Sequence, residues 1–130
     1  MTNILAPISV GELLDKITIL KIKLDKLRND DQRGNVAREL DQLTKIRAQA
    51  RLNDVDLAHL EQELIALNLQ LWDVEDRLRD LERAKNFGRD FIERARSVYI
   101  LNDRRTALKK QINRISGSAI VEEKSYPSYG

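Results

Sequence analysis

The chain of 130 residues has no cysteine, few aromatic residues and few residues that break helices. Without cysteine it can form no disulfide and no thiolate site, which is compatible with a reducing compartment. It has only five glycines and two prolines, and the prolines, Pro7 and Pro127, lie near the two ends. A turn-rich β fold needs more of both residues, so the composition favours helices packed by aliphatic side chains.

The sequence also lacks long apolar runs. Residues 1–10 have neither the basic segment nor the apolar stretch of a signal peptide. No window approaches the roughly 20 consecutive apolar residues that cross a bilayer. We therefore expect a cytoplasmic protein with no membrane span.

The chain is rich in leucine at helical spacing. One stripe advances in steps of three and four through Leu57, Leu60, Leu64, Leu67, Leu71, Val74, Leu78 and Leu81. These steps average 3.5 residues, so the side chains share one face of a helix, and another helix must cover that face. A second stripe follows Ser9 and Glu12, which form the sequence pattern of a capping box.

These stripes predict a single all-α domain over residues 1–130. The predicted helices span about 10–28, 35–52, 54–85 and 90–115, and an irregular tail covers 117–130. Residues 29–34 are predicted to be a loop before a cap at Asn35, and Gly88 a left-handed stop after the third helix. Asn53 and Asp54 indicate a break, although a continuous second and third helix stays open. The architecture is an antiparallel bundle or long helical hairpin of three to four helices with coiled-coil-like seams.

Charge is segregated along the chain, although the net charge is only +2. Residues 53–76 contain seven acids and no Lys or Arg, whereas residues 77–114 contain twelve bases and five acids. The simpler interpretation is that the acidic third helix packs against the basic fourth and neutralises it. The alternative is a basic face that remains open to an anionic partner.

Recognisable catalytic, metal and nucleic-acid motifs are missing, so we expect no metal, no cofactor and, on balance, no enzyme. His59 is the only histidine, and Asp56 and Glu63 beside it make a poor site for a structural metal. The basic end of the fourth helix has no interleaved aromatic residues, so nucleic-acid binding is the third choice of function. Arg94 and Arg105 lie in the apolar seam of that helix, where they either reach solvent or acids, or form an internal anion site.

Four segments resemble an uncharacterised family of short, all-helical bacterial and phage proteins. They are ISVGELLDKITILKIKL, LNLQLWDVEDRLR, FIERARSVYILNDRRTALKKQIN and GSAIVEEKSY. The resemblance implies a gene neighbourhood of surface-polysaccharide assembly and no known activity. The positions that it singles out are mostly polar, and they include Ser9, Gly11, Glu12, Asp15, Lys16, Thr18, Lys23, Asn68, Trp72, Glu75, Asp76, Arg96, Tyr99, Asn102, Asp103, Glu122, Glu123, Lys124 and Tyr126.

Two functions lead from these observations. The seams favour a self-associating interaction or scaffold protein, which forms a homo-oligomer and binds another protein. The polar positions favour a small helical enzyme, or a module that binds an anion or a sugar nucleotide in a polar cleft beneath the tail. The candidate binding residues are Glu12, Asp15, Lys16, Asn68, Trp72, Glu75, Asp76, Arg96, Tyr99, Asn102, Asp103, Arg105, Lys124 and Tyr126.

Overall fold

A computed structural model of the protein describes residues 2–50, 52, 55–120, 123–125 and 128–129. It contains four helices, and the described residues include no strand. They are α1 (Val10–Lys26), α2 (Asp30–Gln49), α3 (Val55–Arg83) and α4 (Arg89–Ser116). The prediction of an all-α helical bundle is therefore confirmed. None of these helices is both long enough and apolar enough to cross a membrane.

Local capping explains where α1 and α2 begin. Ser9 caps α1 by accepting a hydrogen bond of 3.0 Å from the backbone N–H of Glu12. Asn29 caps α2 in the same way, because its side chain accepts from the N–H of Gln32 at 3.0 Å. The predicted loop at 29–34 and the predicted cap at Asn35 are thus wrong. Asn29 precedes two acids that favour the first turn of a helix, and the loop composition hid this earlier start.

The turn between α3 and α4 also differs from the prediction. Helix α3 ends at Arg83, and Lys85 takes the left-handed conformation with φ of 53°. Gly88 is extended, so it is not the predicted left-handed stop, and as the N-cap of α4 it has no side chain that could accept a hydrogen bond from the first turn. Gly117, with φ of 68°, does end α4 as a left-handed glycine. The predicted break at residues 53–54 lies outside the described residues.

The helices are arranged around α1. Helices α3 and α4 form an antiparallel hairpin, and α1 packs against both of them, parallel to α3 and antiparallel to α4. Helix α2 runs back along α1, and Lys16 of α1 pairs with Glu39 of α2 at 3.0 Å. Helix α1 is therefore covered on several sides, which explains why its apolar residues exceed one stripe.

The core contains the stripes that the sequence predicts. Seven of the eight stripe residues of α3 are buried, and Leu78 is half-buried. The first half of the stripe packs with Leu13, Leu14 and Ile17 of α1 and with Ile112 of α4. The second half packs with Leu101 and Val98 of α4. Burial of each large aliphatic side chain contributes roughly 1.5–3 kcal/mol, so this seam is a main source of stability.

A polar cleft between α1, α3 and α4

A buried polar cluster lies where α1 meets the hairpin. Asn68 of α3 donates one hydrogen bond of 2.9 Å to Asp15 Oδ1 and another of 2.9 Å to Thr18 Oγ1. The Thr18 hydroxyl donates to the backbone carbonyl of Asp15 at 2.7 Å. All three side chains are at most 5% exposed. Both N–H groups of the Asn68 amide are thus used inside the protein, and only its Oδ1 remains for a ligand.

Helix α4 supplies the counter-charges of this cluster. Lys109 Nζ lies 2.7 Å from Glu12 Oε2 and 3.7 Å from Asp15 Oδ2. Arg105 Nε lies 4.0 Å from the same Asp15 oxygen. Two carboxylates therefore face two cations, which limits the cost of burying Asp15 and Lys109.

The start of α1 approaches the end of α4 closely. Gly11 donates its backbone N–H to Asn113 Oδ1 at 2.7 Å, and Val10 donates to Ser118 Oγ at 3.2 Å. A Cβ atom at Gly11 would lie 2.7 Å from the backbone carbonyl oxygen of Lys109, so only glycine allows this contact. The close approach fixes the register of α1 on α4 and thereby places Asp15 beside Arg105.

Next to this cluster a cleft of about 200 Å³ opens between the three helices. Its lining residues are Ile19, Ile22 and Lys23 of α1, Asn68, Leu71, Trp72 and Glu75 of α3, and Asn102 and Arg105 of α4. Ile22, Asn68 and Leu71 are buried and Glu75 is exposed, so the cleft has an apolar and amide floor and a charged rim.

Several polar groups in the cleft have no partner within the described part of the chain. No described carboxylate lies within 4.0 Å of Lys23 Nζ, and no described acceptor bonds the indole N–H of Trp72 or the side-chain amide of Asn102. Glu75 has only a loose pair with Arg79, at 3.7 Å. The convergence of these groups on one cleft makes it the candidate binding site of the chain.

The structure brings together part of the predicted site. Asp15 belongs to the buried cluster, and Glu12 and Arg105 belong to the ion pairs around it. Asn68, Trp72, Glu75, Asn102 and Arg105 line the cleft. These residues come from three separate segments of the sequence.

Other predicted residues lie elsewhere. Lys16 pairs with α2, Asp76 lies 3.6 Å from Arg79 on the exposed side of α3, and Arg96 is exposed on α4. Lys124 is exposed in the tail and does not line the cleft, and Tyr126 lies outside the described residues.

Tyr99 and Asp103 do not line the cleft; they contact Tyr129 of the tail. The Tyr129 hydroxyl donates to Asp103 Oδ2 at 2.6 Å, and the rings of Tyr129 and Tyr99 meet edge to face at 5.2 Å between centroids. The hydrogen bond to Asp103 raises the pKa of Tyr129, because the neutral phenol donates it and the phenolate cannot. Part of the tail thus docks on α4.

The two seam arginines have different environments. Arg94 pairs with Asp90 of its own helix at 3.1 Å and is half exposed, which is the expected reach toward an acid. Asp90 also pairs with Arg77 of α3 at 2.8 Å, and hydrogen bonds from Arg77 and then Arg94 lower the pKa of Asp90. Arg105 is the one that reaches an internal site, beside Asp15 and the cleft.

In the described part of the chain, the acids of α3 do not pair directly with the bases of α4, although the simpler interpretation of the sequence expected this. Among the described ion pairs only Arg77–Asp90 joins the two helices, and there the base is on α3 and the acid on α4. The bases of α4 turn to α1 through Lys109 and Arg105 and to the tail through Lys110, which lies 3.5 Å from Glu123.

The candidate binding set omitted four residues that line the cleft or take part in the polar contacts beside it. Lys23 and Thr18 were in the family pattern, but nothing in α1 alone told which polar positions face the hairpin. Lys109 and Asn113 sit four and eight residues beyond Arg105, so the i, i+4 spacing from that seam arginine could have found them. Asn113 is buried, and its Nδ2 has no hydrogen-bond partner among the described residues.

The sequence pattern of a family of unknown function, DUF6165, matches residues 4–129. The chain belongs to DUF6165. The match covers α1 to α4 and extends to Tyr129, so the cleft lies wholly within the part that the family shares. No curated protein and no solved structure shows a significant match to the chain.

Proposed function

We propose that this DUF6165 protein binds a small polyhydroxylated ligand with one acidic group, such as a sugar phosphate or a uronic acid, in the cleft between α1, α3 and α4. The observation that carries this proposal is that Lys23, Trp72 and Asn102, whose side chains have no hydrogen-bond or ion-pair partner among the described residues, converge on one cleft beside Arg105.

The chemistry of the lining supports this class of ligand. Lys23 and Arg105 are donors with positive charge and suit the acidic group. Asn68 Oδ1, the Asn102 amide and Glu75 offer acceptors and donors for hydroxyl groups, and the indole of Trp72 offers an apolar ring with an N–H at its edge. Glu75 offsets one of the two cations, so the lining favours a single acidic group over a polyanion.

The size of the cleft narrows the choice. About 200 Å³ is below the roughly 300–1,000 Å³ of pockets that enclose drug-sized ligands. A monosaccharide with one acidic group matches this volume, whereas a whole sugar nucleotide exceeds it and would leave its base in solvent. The surface-polysaccharide neighbourhood that the family resemblance implies is consistent with a sugar ligand.

The single tryptophan gives a direct test. Trp72 lines the cleft, so a ligand that enters should change its fluorescence. We expect saturable changes with glucose 1-phosphate or glucuronate, and weaker ones with glucose or inorganic phosphate alone. If none of the four probes changes the emission or the melting temperature, the proposal is wrong.

A matched pair of variants locates the binding. Lys23→Met should weaken binding about 10-fold to 100-fold, because a hydrogen bond to a charged group contributes about 1.5–3 kcal/mol. Lys26→Met removes an exposed lysine of the same helix that does not line the cleft, and it should leave the affinity unchanged. Equal affinities in the two variants would place the ligand elsewhere.

A further inference from the structure

The hairpin of α3 and α4 has a second groove, which is separate from the polar cleft. Among the described elements, α3 and α4 alone line this outer groove, and its volume is about 400 Å³. Its lining residues are Glu63, Ala66, Leu67 and Gln70 of α3 and Arg104, Ala107, Leu108 and Gln111 of α4. No residue of α1 or α2 is part of this lining, so the groove lies on the opposite side of the hairpin from the polar cleft.

The centre of the outer groove is apolar, and small side chains lie there. Ala66 and Ala107 are small and exposed, and Leu67 and Leu108 lie beside them. Ile115 is 47% exposed and follows Gln111 by four residues, so it extends the same face of α4. Small residues at the centre allow another helix to approach to the 8–10 Å that close helix packing requires, about the width of one helix.

The two walls of the groove carry opposite charge. Glu63 of α3 and Arg104 of α4 line the groove. The exposed Asp73 follows Gln70 by three residues and the exposed Arg114 follows Gln111 by three, so they extend the two walls beyond the groove itself. Within the described residues, no carboxylate lies within 4.0 Å of either guanidinium, and the neighbour of Glu63 is the ring of His59 at 3.9 Å. The acidic and basic walls therefore stand side by side without pairing inside one chain.

We propose that two copies of the chain pair through this outer groove. A twofold arrangement places the acidic α3 of one copy over the basic α4 of the other, and the two hairpins then form a four-helix interface. A surface that carries both signs on adjacent helices is complementary to a rotated copy of itself. An apolar centre with a charged rim is also the common anatomy of protein interfaces.

The available area is sufficient for a stable pair. Two helices of 29 and 28 residues are each on the order of 40 Å long, and together they are about 20 Å wide. Their joint face is thus on the order of 800 Å², which is what each partner buries in a standard interface.

The experiment is to measure the mass of the full chain in solution by light scattering and sedimentation. We expect a dimer at about 100 μM protein, and an affinity that falls between about 0.05 M and about 0.5 M salt, because salt screens the rim charges. A monomer at the low salt concentration would overturn the proposal, whether or not the chain then binds a different protein.

Substitutions in the groove make the test specific. Ala107→Glu and Ala66→Glu each place a long acid at the apolar centre, and each should weaken dimerisation at least 10-fold with unchanged helix content. Ala58→Glu introduces the same side chain at an exposed position of α3 outside the groove, and it should dimerise as the wild type does. A dimer that tolerates both groove variants would show that the copies meet elsewhere.

Discussion

Asn68 Nδ2 lies 2.9 Å from Asp15 Oδ1, and this buried hydrogen bond joins α3 to α1 at the edge of the polar cleft. Asp15 also faces Lys109 and Arg105, so it is the one carboxylate that all three hairpin side chains share. The stability of the α1 interface and the shape of the cleft therefore depend on the same residue.

We expect Asp15→Ala to lower the free energy of unfolding by about 3 kcal/mol. Removing one partner of a buried ion pair costs about 3–5 kcal/mol, and Glu12 limits the loss because it still faces Lys109. Urea denaturation measures the change. Asp25→Ala removes an exposed acid of the same helix and should change stability by less than about 0.5 kcal/mol. Similar losses in both variants would mean that the cluster contributes little.

Two glycines in helices predict opposite effects of the same substitution. Gly11→Ala should destabilise the protein by about 1–3 kcal/mol, because its Cβ would lie 2.7 Å from the Lys109 carbonyl oxygen and push α1 away from α4. Gly34→Ala has an open site, with the nearest atom 3.6 Å away on the flexible Arg38, and should stabilise α2 by up to about 1 kcal/mol. Thermal unfolding of the two variants should shift in opposite directions, and a shared direction would refute the close approach.

The contact of the chain end with α4 should weaken at high pH. The pKa of Tyr129 is raised by its hydrogen bond to Asp103, so the contact is fully present below the ordinary tyrosine pKa of about 10. It is lost as the pH rises through the raised value. Tyrosinate absorbance should show a step above the ordinary tyrosine pKa of about 10, and Tyr129→Phe should remove that step. A late step that persists in the Tyr129→Phe variant would contradict the contact with Asp103.

The ion pairs of Asp90 with Arg77 and Arg94 should weaken at low pH. Hydrogen bonds from Arg77 and Arg94 lower its pKa below 3.8, so the contribution of these pairs to the hairpin turn is present at neutral pH. That contribution is lost as the pH falls through the lowered value. An NMR titration of the Asp90 carboxyl should follow this course, and Arg77→Met should move its pKa upward. A midpoint that ignores the substitution would contradict the pairing.

The sequence predicted the helices better than the site. Apolar spacing in α3 is a local property, and it identified the buried seam from Leu57 to Leu81. Asn29 and Asn35 are both good caps, and only the turn at the end of α1 decides between them. There the Arg33 side chain donates to the carbonyl oxygens of Leu24 and Leu27, which holds α2 against α1 from its first turn.

The site depended on relationships between helices that spacing does not encode. Lys16 and Lys23 are seven residues apart and share an edge of α1, yet Lys16 reaches Glu39 of α2 while Lys23 lines the cleft. Their roles differ because α2 places a carboxylate beside Lys16, whereas α3 and α4 leave a cleft beside Lys23. Tyr99 and Asp103 were placed in the cleft by sequence, but they are on the face of α4 that receives Tyr129.

The hydrogen bond from Gly11 to Asn113 spans 102 residues of the chain, and this has a consequence for biosynthesis. Helix α1 leaves the ribosome long before α4 does, and the N–H of Gly11 cannot make this hydrogen bond until almost the last turn of α4 has emerged. The hairpin of α3 and α4 closes over a short loop and is expected to form before this long-range docking. Until then the face of α1 that packs on α4 is uncovered, so a ribosome that stalls before residue 109 would leave a nascent chain with exposed apolar side chains and a tendency to aggregate.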